Sequence, residues 1–210
     1  MKIIVISNPS SVEGEHEMIH QLFDAGLQYF HVRKPSYSIE KLKRYLEKID
    51  KKFRDRIILH NHHNLCIQLK LRGIHLTKRH RNKNRLGTWL MTIYLKFRKP
   101  DIQISTSFHV IKSLSEYKAE YAYVLLSPIF DSISKLGYKN TFNDHSLKEA
   151  LSKTKFEVIA LGGVNYDVLE KIKEYGFSGF ALLGGIWGKA DPVAEFKKIK
   201  DKWNQIENSR

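Results

Sequence analysis

The stretch Val158-Ile159-Ala160-Leu161-Gly162-Gly163-Val164 and its echo Ala181-Leu182-Leu183-Gly184-Gly185-Ile186 decide how this chain reads. Each is a short apolar run of the kind that forms a buried strand, and each closes on a pair of glycines. Glycine has no Cβ, so the main chain there can approach an anion and turn its N–H groups toward the oxygens. When consecutive parallel strands both end this way near a helix start, the expected host is the C-terminal rim of an eight-stranded βα barrel, where phosphate sits after the last two strands. The expected ligand is a phosphorylated small molecule.

Extended runs recur at Ile3–Ser7, Tyr29–Arg33, Ile57–Asn61, Gly73–Thr77, Ile102–Ser107, Tyr121–Ser127, Val158–Gly162 and Gly179–Gly184, with helical patterns between them. Their average spacing of about 26 residues accommodates a strand, a helix and two short loops. The expectation is a single α/β domain over residues 1–210, a (β/α)8 TIM barrel. Gly26 follows the first helix, Ser38 caps a second that continues from Lys41 to Phe53, and Gly176 closes one beginning near Asp167. Asp191-Pro192 opens the last helix, about Val193 to Trp203, with a frayed tail after Ile206. Lys78 to Arg85 reads as a basic rim loop, and Trp89-Leu90 to Tyr94-Leu95 as a helix packed onto the barrel.

At 210 residues and 42% hydrophobic content the chain suits one core. The net charge of +14, from 36 Lys and Arg against 22 Asp and Glu, attracts polyanions of any kind. The cations are spread through the chain, with local clusters at Lys78-Arg79-His80-Arg81 and Lys96 to Lys99, so nucleic-acid binding is not the expected main function. A single cysteine, Cys66, forms no internal disulfide, and no apolar run reaches the roughly 18 residues of a membrane span. The expectation is a cytoplasmic protein without a membrane partner.

The sixth strand, Tyr121-Ala122-Tyr123-Val124-Leu125-Leu126, runs into Ser127-Pro128-Ile129-Phe130-Asp131-Ser132-Ile133-Ser134-Lys135. Ser132 and Ser134 offer hydroxyl donors to an anion, and Lys135 adds a point charge for a leaving phosphate or pyrophosphate. A plain polar loop is the alternative reading.

Here the chain resembles the thiamine phosphate synthase family, whose pattern at this point is Gly-Pro-(Ile/Val)-(Tyr/Phe)-x-Thr-x-Thr-Lys. The family's Gln-Leu-Arg-x-Lys is similar to His31-Val32-Arg33-Lys34-Pro35, and its Asn-Asp pair to Asn61-His62. Its Val-His-Leu-Gly-Gln-x-Asp resembles Ile74-His75-Leu76-Thr77-Lys78-Arg79-His80, and its Ser-x-His is matched by Ser107-Phe108-His109. With the two glycine motifs, the resemblance spans nearly the whole chain. It implies a barrel enzyme that joins a hydroxymethylpyrimidine diphosphate to a thiazole phosphate and releases pyrophosphate. It also implies that Ser132, Ile133, Ser134, Gly163, Leu183 and Gly184 hold the thiazole phosphate. Arg33, Asn61, Ser107 and Lys135 would grip the pyrimidine and its diphosphate, with Lys34 helping to neutralise the charge.

The chain departs from the family where the family binds magnesium. Mg²⁺ is what the resemblance implies, yet His62 and His80 stand where the family has aspartates. Mg²⁺ prefers oxygen, so imidazoles weaken such a site and favour softer metals if any. The sister branch, the thiazole tautomerases, shares barrel and cradle without the aspartate pair. His31 resembles that branch and could act there as an acid or base near neutral pH, although Pro128 stands where a tautomerase carries a histidine. A relative that only binds a phosphometabolite is the non-enzymatic alternative. The spacing of His60, His62, His63, His75 and His80 matches no standard zinc motif, so solvated rim histidines are expected. His60 and His62 should face one way, His63 should begin the next helix, and His75 should pack in the barrel wall or orient a neighbour.

Overall fold

Eight parallel strands, each neighbour hydrogen-bonded to the next and the last to the first, close into a barrel in a computed structural model that describes residues 2–131 and 142–209. From the N-terminus, β1 (Lys2–Ile6) leads through α1 (Glu15–Asp24) to β2 (Tyr29–Val32), and α2 (Ile39–Glu47) to β3 (Ile57–Leu59). A short α3 (Leu65–Gln68) precedes β4 (Gly73–Leu76). Two helices, α4 (Lys78–Lys83) and α5 (Arg85–Arg98), then lead to β5 (Gln103–Phe108). The rest follows as α6 (Ser113–Glu116), β6 (Tyr123–Leu126), α7 (Asp144–Lys153), β7 (Val158–Ala160), α8 (Leu169–Tyr175), β8 (Gly179–Leu182), α9 (Gly184–Trp187) and α10 (Pro192–Asn208).

Strand period explains what fills each layer. Side chains of one parity, such as Val5, Phe30, Val32, Ile74, Val124 and Phe180, pack outward into the continuous core under the helices. The opposite parity points into the barrel. There Ile4 and Ile6 of β1, Tyr123 and Leu125 of β6, Ile159 of β7 and Ala181 of β8 form a separate apolar cluster. The other half of the interior is polar: His31 on β2, His60 just past β3, His75 on β4 and Ser105 on β5 are all buried. Such an interior is a packed core, not a pore.

Helix ends follow local chemistry. Ser38 caps α2 by accepting the Lys41 N–H at 3.2 Å, Asp191 caps α10 by accepting from Val193 and Ala194, and Gly176 ends α8 at φ +86°. Four expectations need correcting, one of them only in part. The second helix stops at Glu47 and a separate 3-10 turn spans Lys51–Arg56, which lets both Ile49 and Phe53 turn inward, Phe53 stacking on Phe23 with ring centres 4.7 Å apart. The basic rim segment is helical as α4, because Thr77 and His80 form a reciprocal cap in which His80 Nδ1 accepts the Thr77 N–H at 3.1 Å. Helix α5 does meet the core through Leu95, with Met91 packed beside it, but Leu86, Trp89, Leu90, Ile93, Tyr94 and Phe97 form an exposed apolar stripe. Finally, α10 continues past Ile206 to Asn208.

Docking of α10 completes the outer ring through Trp203, which is 1% exposed and packs edge-on against Phe180 of β8 with ring centres 5.3 Å apart. Trp203→Ala should therefore cost about 3–5 kcal/mol in chemical denaturation. A loss below about 1 kcal/mol would show that α10 is not part of the cooperative core.

Candidate active site at the C-terminal mouth

At the C-terminal ends of the strands a cavity of about 320 Å³ opens between the loops after β2, β4, β5, β6, β7 and β8. Gly162, Gly163, Leu183, Gly184 and Gly185 all line it, so the two glycine pairs do converge. They also touch. A Cβ on Gly185 would lie 2.4 Å from the Val164 carbonyl oxygen, and one on Gly163, at φ +67°, would lie 2.4 Å from the Asp131 oxygen and 2.6 Å from Phe130 Cβ. Only glycine permits this layering of three loops. Leu183 and Gly184 sit at the start of α9, where the first amides of a helix have no intrahelical acceptor.

Among the described residues the lining includes the cations Arg33 and Lys78 and no carboxylate. That balance suits an anion. Arg33 is exposed, and its position is fixed through its main chain, whose N–H donates to Ser7 Oγ at 2.8 Å. Lys78 owes its place to the Thr77–His80 cap, and His109 is held by its Nδ1 at 2.9 Å from the Ser127 carbonyl. Lys78 is one of the cations that the sequence offers for neutralising a diphosphate; His109 is not among the candidates drawn from the sequence, although the Ser-x-His string is there to read. A larger open depression of about 740 Å³, lined by Lys2, Arg56 and Arg72, lies at the opposite end of the strands and includes none of these groups.

The remaining candidates divide clearly. Ser107 lines the cavity and shares a 2.8 Å hydrogen bond with His75 Nε2. Asn61 donates from Nδ2 to the Lys34 carbonyl, its Oδ1 is buried without a partner, and it is not among the residues lining the cavity. Lys34 is fully buried, bonded to both Glu15 oxygens at 2.8 and 2.6 Å and to the Ser10 carbonyl at 2.7 Å, and lies over the Tyr45 ring. Its ammonium ties the first two loops together and is not among the groups lining the cavity. Ser132, Ile133, Ser134 and Lys135 lie outside the described residues.

The histidines differ most from expectation. His60 and His63 are buried, not solvated, whereas His75 packs inside the barrel and orients Ser105 and Ser107, as expected of it. His31 Nε2 meets the Tyr123 hydroxyl at 2.6 Å and its Nδ1 meets His60 Nε2 at 3.1 Å, while His60 stacks on His75 with ring centres 4.3 Å apart. Burial pushes His31 down to about 3, and burial with neighbouring positive groups drives His60 and His75 well below the usual imidazole range. His31 is thus a sealed neutral ring, not an acid or base near pH 7. His60 and His62 do not share a face: His62 turns at φ +51° and its Nε2 meets the Tyr37 carbonyl at 3.0 Å. The helix that His63 was to begin starts at Leu65.

The family model described as thiamine monophosphate synthase matches residues 3–186. The chain belongs to this family. A crystal structure of thiamine phosphate pyrophosphorylase from Bacteroides thetaiotaomicron is 31% identical, with a TM-score of 0.78 over 97% of this chain and 98% of that one. The Pyrococcus furiosus thiamine phosphate pyrophosphorylase shares the fold at 15% identity, with the same TM-score of 0.78 over 98% and 96% of the two chains. Among curated relatives, the thiamine-phosphate synthase of Syntrophomonas wolfei is 28% identical over 83 residues, 40% of each protein. That of Clostridium tetani is 23% identical over 158 residues, 75% of this chain and 71% of the relative. The match thus spans less than half the length of the first of these relatives.

The residues at the two positions where the resemblance places Mg²⁺ ligands do not fit that ion. His62 and His80 supply nitrogen where a hard cation needs oxygen, and one nitrogen of each ring is hydrogen-bonded within the chain, His62 Nε2 at the Tyr37 carbonyl and His80 Nδ1 in the α4 cap.

The buried rings make stability depend on acidity. The unfolded chain protonates these histidines near 6.5, whereas folded His31 resists to about 3, so stability is full above 6.5 and falls as pH drops through this window. Each such ring contributes a slope of roughly 1.4 kcal/mol per pH unit. Urea unfolding of the metal-free protein between pH 7 and 5 should show this decline, and His31→Gln should flatten it. Equal slopes in the two proteins would contradict the assignment.

Proposed function

We propose that the chain is a thiamine phosphate synthase, and the observation that carries this reading is a mouth, free of carboxylates among the described residues, in which two glycine pairs and two cations face one cavity. The substrates are a thiazole carrying a phosphate monoester and a hydroxymethylpyrimidine diphosphate. The main-chain groups at Gly163, Leu183 and Gly184 hold the monoester together with Ser132, Ile133 and Ser134. Ser107 orients the pyrimidine, with Asn61 assigned beside it by the family resemblance. Arg33, Lys78 and Lys135 hold the diphosphate and take up charge as it leaves.

In the reaction the bond between the pyrimidine methylene carbon and the diphosphate oxygen breaks, its electron pair departing with pyrophosphate. The thiazole nitrogen then donates its lone pair to that carbon, giving thiamine phosphate. No side chain must shuttle a proton in this sequence, which fits an interior of neutral imidazoles. The residues serve by position and by fixed charge. Charge on the diphosphate is met by side-chain cations, and no step is assigned to a metal at His62 and His80. The tautomerase alternative relied on His31, whose burial removes its support. A cytoplasmic site of action is part of the proposal, supported by the single buried thiol Cys66.

The test mixes purified protein with both substrates, with and without Mg²⁺, and follows thiamine phosphate. Product is expected, and Arg33→Ala should lower kcat/KM for the diphosphate by about 10- to 100-fold, the worth of one charge-assisted contact. Folded protein that yields no product under either condition rejects the synthase reading, and binding of thiazole phosphate without turnover would identify a phosphometabolite-binding relative instead.

A further inference from the structure

Three imidazoles meet below the cavity floor in an arrangement that the coupling reaction does not use. His31, His60 and His75 each offer a ring nitrogen, and these three atoms lie within 4.8 Å of one another. They come from adjacent strands whose parallel register aligns Val32 with Leu59 and Leu59 with Ile74. That register, and not any short spacing in sequence, brings them together. We infer that His31, His60 and His75 form a binding site for one transition-metal ion of the zinc type, with an open coordination position facing the cavity. The site is distinct from positions 62 and 80, where the family places its carboxylates.

The distances suit such an ion. His31 Nδ1 and His60 Nε2 are 3.1 Å apart. Two nitrogens each about 2.0–2.1 Å from a tetrahedral ion are separated by about 3.4 Å. The same contact is therefore either an N–H···N bond or the edge of a coordination shell.

The outer partners are of the kind that metal-bound histidines have. The far nitrogen of His31 is tied to the Tyr123 hydroxyl at 2.6 Å, and Nδ1 of His75 to Ser105 Oγ at 2.9 Å. Such bonds fix ring orientation and leave the opposite nitrogen to the ion. For His75 this is Nε2, which meets Ser107 Oγ at 2.8 Å, so Ser107 stands beside the open position.

Access and charge complete the argument. His60 and His75 line the cavity, giving the ion a route in, while His31 is fully buried behind them. Three neutral nitrogen donors without a carboxylate favour zinc-like ions over Mg²⁺, and leave the ion its full double charge. An anionic oxygen, from hydroxide or from a phosphorylated ligand in the cavity above, is the fitting fourth donor. The site does not depend on which reaction the cavity supports.

The experiment titrates Co²⁺ into the untagged, chelator-stripped full chain and follows its visible absorption, then displaces it with Zn²⁺. One equivalent per chain with the intense bands of four-coordinate cobalt is expected. His31→Gln, His60→Asn and His75→Asn, each checked for folding by thermal melting, should weaken binding by at least roughly 10-fold, as even loss of an outer partner can. His62→Ala and His80→Ala should bind as the unaltered chain does. Absence of a stoichiometric site in the unaltered chain overturns the inference without recourse to any variant. So does binding that survives all three buried substitutions, or that is lost in the variants at 62 and 80.

Discussion

A closed barrel has to fill its own interior, and here half of that filling is imidazole and hydroxyl, whose polar atoms have to be satisfied away from bulk water. The bonds from Tyr123 to His31 and on to His60, and from Ser105 to His75 and on to Ser107, meet that demand. A buried polar group without a partner costs about 1–3 kcal/mol, so these bonds fix which way each ring faces. Because the network reaches from the apolar half of the interior, through Tyr123, to Ser107 at the rim, it also fixes the floor on which any ligand rests. The electrostatic result is a deep layer of neutral rings beneath a mouth lined by cations.

The mouth itself depends on main chain more than on side chains. Gly163 and Gly185 are sites where another residue would collide with carbonyl oxygens of the adjoining loops, so the loops after β6, β7 and β8 stack without intervening side chains. Lys34 and Glu15 perform the corresponding task on the other side, where an ion pair with no exposure to speak of ties the loop after β2 to the first helix. Removing one partner of such a pair leaves a buried charge and costs about 3–5 kcal/mol. The two halves of the rim are thus held by different means, close main-chain contact on one side and buried charge on the other.

Much of this was legible in the residues alone. Strand positions followed from apolar runs ending in glycine or polar residues, and convergence of the two glycine pairs followed from barrel topology. The misreadings share one cause. Sequence reveals that a residue is polar but not which partner the fold supplies, so Lys34 looked like a substrate contact before Glu15 was known to face it. His60, likewise, looked solvated because His31 and Tyr123 are far away in sequence. His80 stands at a position that resembles a metal ligand's, but its Nδ1 caps α4, a local role that the resemblance does not reveal. On α5 the packing expected from apolar spacing holds at Leu95 and Met91 but not at Trp89 or Tyr94, since periodicity cannot say how much of an apolar face meets the protein's own barrel.

The central claim is that main-chain groups after β7 and β8 converge on one phosphate monoester. Calorimetric comparison of the thiazole phosphate with the same thiazole lacking phosphate tests it directly. The account predicts that the phosphorylated form binds at least about tenfold more tightly, a difference of roughly 1.4 kcal/mol, and that Gly163→Ala abolishes the preference. Equal affinity for the two forms, or a preference that survives a Cβ at Gly163, would contradict it.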